Sequence, residues 1–127
     1  MNIKEVSSNS LSFIGDAVFT LRVREYFVSK NYQASKTLQR KCNLYNSAKG
    51  QTKIFKRLES LNFFKEDEMD AYKRGRNNIR HIPKNGDLLT YEIASGFEAI
   101  LGYLYLTDKD RLEDVLLEVF KKDIDDE

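Results

Sequence analysis

The 127-residue chain holds one cysteine, one histidine and one proline, and its 21 basic side chains outnumber its 20 acidic ones by a single charge. Each scarcity removes a class of protein. Cys42 alone cannot form an intramolecular disulfide, and Cys42 with His81 cannot furnish the ligands of a Cys/His zinc site. No apolar run approaches the roughly 20 residues of a membrane-spanning helix, and the first ten residues lack the apolar core of a secretion signal. The expected compartment is the cytoplasm. Taken whole, the near-zero net charge speaks against a nucleic-acid partner. The length suits one domain over residues 1–127, frayed from about 123, and a chain of this size buries roughly two thirds of its unfolded surface.

Read by segment, the charge tells a different story. From Lys30 to Arg57 there are eight bases and no acid, and from Lys73 to Lys84 five bases and no acid. Residues 85–127 carry four bases against twelve acids. A neutral chain can therefore present a positive face to a polyanion. The other reading of each basic run is a solvated helix face.

Hydrophobic spacing follows the helix period throughout. Leu11, Ile14, Val18 and Leu21 mark a first helix, widened by Phe13, Ala17 and Phe27, with Ser10 as its cap. Ala34, Leu38 and Cys42 mark a second, and Ala48 to Leu61 a third, capped by Asn46 or Ser47. A fourth runs from the acids Glu66, Asp67 and Glu68 to the bases Lys73, Arg74 and Arg76, as a helix dipole favours. Asn77 to Asp87, with Pro83 and Asn85-Gly86, reads as a loop. Helices over about Leu88–Leu106 and Asp108–Lys122 follow, giving an all-α domain of five to seven helices.

Two acids fall where helix faces should be apolar. Asp16 lies between Ile14 and Val18, and Glu98 between Phe97 and Ala99, each with a glycine within a turn: Gly15, and Gly96 with Gly102. A buried carboxylate must be paired, hydrogen-bonded or bound to a metal. One reading pairs each acid with a nearby base. The other crosses the two helices, so that both carboxylates face each other and share a hard divalent cation such as Mg²⁺. Glycine in a helix interior costs about 1 kcal/mol against alanine, and its use here implies close helix approach.

The strings Phe13-Ile14-Gly15-Asp16-Ala17-Val18 and Phe97-Glu98-Ala99-Ile100-Leu101-Gly102 resemble the two signature blocks of ribonuclease III domains. Ser47-Ala48-Lys49-Gly50-Gln51, Lys73-Arg74-Gly75-Arg76-Asn77 and Pro83-Lys84-Asn85 extend the resemblance over nearly the whole chain. It is closest to the Mini-III branch, which lacks an attached double-stranded RNA-binding domain. The resemblance implies a homodimeric, all-helical endonuclease that cuts double-stranded RNA with Mg²⁺ and leaves 5′-phosphate and 3′-hydroxyl ends. It also implies a role in maturing large-subunit ribosomal RNA precursors. By position, Asp16 and Glu98 take the family's catalytic, metal-binding carboxylates. Two further acids of full-length ribonuclease III enzymes are replaced by Ser12 and Ser95, which fits the branch and implies one firmly held ion, with a second held when RNA is bound.

A nuclease without a binding module must grip the duplex itself, through phosphates and shape. Lys49, Lys53, Lys73, Arg74, Arg76, Arg80 and Lys84 are the expected RNA-binding residues. Lys49, Lys53 and Lys56 share one helix face, with Arg57 beside them on the same phosphate track. His81 reads as a surface-loop histidine, and the aromatic residues as core and interface fillers. The competing function is a non-catalytic RNA-binding or ribosome-associated module that keeps the fold.

Overall fold

The computed structural model describes residues 1–33, 35–77, 84 and 86–124. After a 3₁₀ turn at Ile3–Glu5 come six helices: α1 (Ser8–Ser29), α2 (Ser35–Asn46), α3 (Ala48–Ser60), α4 (Glu66–Gly75), α5 (Leu88–Thr107) and α6 (Lys109–Phe120). No strand occurs among the described residues.

Local chemistry sets most boundaries. Ser47 Oγ accepts from the Gly50 N–H at 3.0 Å and starts α3, and Asp108 Oδ1 accepts from the Arg111 N–H at 3.0 Å and starts α6. α1 begins earlier than its apolar pattern predicts. Ser7 is its cap, its Oγ accepting from the Ser10 N–H at 3.1 Å, so Ser10 lies inside the first turn. Asn31 and Asn62, at φ 69° and 53°, end α1 and α3 in the left-handed conformation that asparagine tolerates best after glycine.

α5 is apolar nearly all round, as a central helix must be, and α1, α3, α4 and α6 pack about it. Leu11, Phe19, Val23 and Phe27 form the buried line of α1, with Phe19 edge-on to Phe97 of α5 at 5.4 Å between ring centres. Phe55 of α3 stacks on Tyr72 of α4 at 4.1 Å. Glu68, fully buried, accepts two hydrogen bonds from Arg111, at 2.7 and 3.0 Å, which ties α4 to α6. Arg57 donates to the carbonyls of Glu118 and Val119 at 3.1 and 3.0 Å. Its guanidinium thus caps the end of α6 instead of joining a phosphate track. Ile124 is buried, and its N–H donates to the Tyr45 hydroxyl at 3.2 Å. No helix among the described residues is long and apolar enough to cross a membrane.

The face opposite the buried line of α1 is apolar as well. Phe13 is 73% exposed, Leu21 58% and Val28 58%, with Ala17 exposed between them. Leu21, placed by its spacing on the buried stripe, lies on this outer face.

Candidate active site

The site is built where α1 crosses α5 at backbone contact. A Cβ on Gly15 would overlap the carbonyl oxygen of Glu98 and sit 3.0 Å from Glu98 Cα. One on Gly102 would overlap the Leu11 carbonyl oxygen and lie 3.1 Å from the Gly15 nitrogen. Beside the crossing, Ser12 Oγ donates to the Ser95 carbonyl at 2.9 Å, and Ser95 Oγ donates to the Gly75 carbonyl at 2.8 Å. The two serines therefore lash α1, α5 and α4 together where the fuller pattern of acids would stand.

This crossing brings the carboxyl groups of Asp16 and Glu98 close enough for Asp16 to act on the ionisation of Glu98. Asp16 itself is exposed, although Ser12, Phe19 and Val23, which share its side of α1, are buried. It borders an open cleft of about 650 Å³ between α1 and α2, together with Thr20, Arg24, Asn43 and Asn46. Burial pushes the Glu98 carboxyl up to about 8, with the Asp16 charge and a hydrogen bond shared with Asp16 acting in the same direction. A hydrogen bond from Gln51 opposes the rise. Glu98 thus meets an amide and a second acid, not a lysine.

Gln51 is the residue that sequence reasoning passes over. It is 2% exposed, and its Nε2 donates to the Asn46 carbonyl at 3.1 Å and to Glu98 Oε2 at 3.2 Å. Ser47 and Gly50 put it there. The cap starts α3 at Ala48, and a Cβ on Gly50 would overlap the Leu44 carbonyl oxygen, so the first turn of α3 rests directly on the end of α2. The only hint in the sequence is that Gln51 closes one of the blocks resembling the family pattern.

The two carboxylates offer only oxygen donors, and two side-chain carbonyls of the same region, Gln51 Oε1 and Asn46 Oδ1, are buried without a hydrogen-bond partner. Such a set fits a small, hard divalent ion, which takes one or two carboxylates and keeps several waters. Among the described residues, no group of three or more His, Cys, Asp and Glu residues could hold a metal.

The basic residues divide. Lys49 and Lys53 are exposed on α3 and border a small pocket of about 230 Å³, and Lys73 and Lys84 are also exposed. Arg74 donates to the Val6 carbonyl at 3.2 Å. Arg76 donates to Glu92 at 3.0 Å, so its charge is partly answered within the fold. Arg80 and His81, with most of the Asn77–Asp87 loop, lie outside the described residues.

Residues 9–109 match the ribonuclease III domain. This chain belongs to the ribonuclease III family. It is 37% identical over 121 residues to the Mini-ribonuclease 3 of Enterococcus faecalis, covering 94% of this chain and 92% of that one. With the Mini-ribonuclease 3 of Staphylococcus aureus it shares 38% over 117 residues, 91% of this chain and 87% of that one. A crystal structure of a protein from Fusobacterium nucleatum superimposes with a TM-score of 0.83 at 28% identity, over 96% of this chain and 99% of that chain. Within the family the chain falls in the Mini-ribonuclease 3 branch, and the crossing of α1 and α5 is thereby a feature of a ribonuclease.

Proposed function

We propose that the protein is a Mg²⁺-dependent endoribonuclease that cuts double-stranded RNA and acts as a homodimer. The observation that carries this reading is the approach of the Asp16 and Glu98 carboxyl groups, with Asp16 at the edge of an open cleft. Bound there, Mg²⁺ supplies an activated water and offsets the charge that builds on a phosphodiester during hydrolysis. The chain's own work is to hold that pair. The helix crossing sets the backbone, Gln51 orients Glu98, and Glu98 gives up its proton when a cation takes its place. Water attack that expels the 3′ oxygen leaves a 5′-phosphate and a 3′-hydroxyl.

Lys49, Lys53, Lys73 and Lys84, all exposed, are the side chains freest to follow a duplex backbone. The outer apolar stripe of α1, from Phe13 to Val28, is the surface that a second copy would cover, and a two-fold pair would place one site on each strand. The branch resemblance supports a large-subunit ribosomal RNA precursor as substrate, with the enzyme working in the cytoplasm.

The second reading, a non-catalytic RNA-binding module, draws on Ser12 and Ser95, which are spent on structural hydrogen bonds and bring no charge to the site. Incubation of long duplex RNA with the protein in Mg²⁺, in EDTA, and with Asp16→Asn separates the two. Cleavage that needs Mg²⁺ and is lost in the variant supports the enzyme. Binding that never leads to cleavage supports the module.

A further inference from the structure

We propose that Gln51 and Asn46 belong to the cation site, their side-chain oxygens accepting hydrogen bonds from the water molecules that the ion carries. The inference rests on the Mg²⁺ reading given above and names residues which that reading leaves out.

The orientation of the Gln51 amide is forced. The Asn46 backbone carbonyl can only accept, so the NH₂ end must point to it, and the same nitrogen donates to Glu98 Oε2. Oε1 is left buried with no donor, and Asn46 Oδ1 is in the same state. Buried acceptors of this kind normally find a partner in the protein or in ordered water. The two residues are joined by the hydrogen bond from Gln51 Nε2 to the Asn46 backbone carbonyl, and the same nitrogen reaches Glu98 Oε2. Asn46 borders the same cleft as Asp16.

The chemistry of the missing partner follows from what the two oxygens lack. They need donors, not further acceptors, and a bare cation of small radius dehydrates reluctantly. A hydrated Mg²⁺ held by Asp16 and Glu98 turns its water hydrogens outward as donors. An amide oxygen, which carries lone pairs and no proton, accepts them. Groups of this kind around a metal commonly change affinity by roughly 10 to 100-fold when removed.

The test is Mg²⁺ titration of the full chain by calorimetry, without RNA, for the wild type, Gln51→Met, Gln51→Glu, Asn46→Leu and Asp16→Asn. Thermal melts in EDTA establish that each variant is folded. Gln51→Met removes the acceptor at nearly constant volume, whereas Gln51→Glu keeps an acceptor and loses the N–H donors. The expected result is Mg²⁺ binding weakened roughly 10 to 100-fold in Gln51→Met, weakened also in Asn46→Leu, and retained in Gln51→Glu. Wild-type affinity in Gln51→Met or in Asn46→Leu overturns the inference, while the Mg²⁺ reading stands. Equal weakening in Gln51→Met and Gln51→Glu also overturns it, because Gln51 then acts through its N–H bond to Glu98. A wild-type chain that binds no Mg²⁺, or binds it as Asp16→Asn does, removes the reading beneath the inference and the inference with it.

Discussion

Gly15 of α1 touches the backbone of Glu98 in α5 so closely that a β-carbon on Gly15 would overlap the Glu98 carbonyl oxygen. The residue before one acid of the site therefore packs on the other acid's own backbone. At an open helix position, Gly→Ala stabilises by up to about 1 kcal/mol. Here the opposite sign is expected. Gly15→Ala must push the packed backbones of α1 and α5 apart, and overpacking of this kind costs about 1–3 kcal/mol or more. Denaturant unfolding measures it, and a stabilised Gly15→Ala would show that the helices are not in contact.

The pH dependence of stability follows from Glu98. Its carboxyl moves from an ordinary value of 4.5 to about 8 in the folded, metal-free protein, first through burial and then through Asp16. Between these values the folded form holds a proton that the unfolded chain releases. Glu98's contribution is full below 4.5 and is lost as the pH rises through about 8. In EDTA, the unfolding midpoint should fall across this window, and Glu98→Gln should flatten the fall. Saturating Mg²⁺ should reverse it, because the ion binds the ionised form.

Much of this is legible in the residues themselves, and the failures have physical causes. Helix periodicity, with the cap at Ser47, places all six helices, most of them to within a few residues, because those signals are local. Gly15 and Gly102 beside acids point to the crossing, since glycine inside a helix needs a packing reason. The two faces of α1 are not separable by pattern, as apolar residues occur on both and a period does not say which side meets the core. Arg57 and Gln51 are beyond reach for another reason. Their partners, Glu118 and Glu98, lie 61 and 47 residues away, and no local pattern announces either bond.

Lys49 and Lys53 test the RNA surface. Both are exposed on α3. Reversing their charges should weaken duplex RNA binding and lower the slope of log affinity against log salt by about one for each phosphate contact removed. Fluorescence anisotropy at several salt concentrations reads both quantities, with circular dichroism as the folding control. An unaltered slope would move the RNA to another face.

The proposed homodimer would bury the outer stripe of α1. Phe13, at 73% exposure, contributes little to the core of one copy. Phe13→Glu should leave the helical content intact and convert a dimer of two 14.8 kDa chains to monomers in sedimentation. A wild-type chain that sediments as a monomer, or a Phe13→Glu dimer, would leave this face without its proposed partner.

The central claim is that Asp16 and Glu98 act as one unit on duplex RNA. Single-turnover cleavage in Mg²⁺ by Asp16→Asn, Glu98→Gln and the double variant tests it most directly. Groups that hold a single ion fail together, so the double variant should cut no more slowly than the worse single variant, within about tenfold. Losses that multiply would contradict the account, since each carboxylate would then be acting separately.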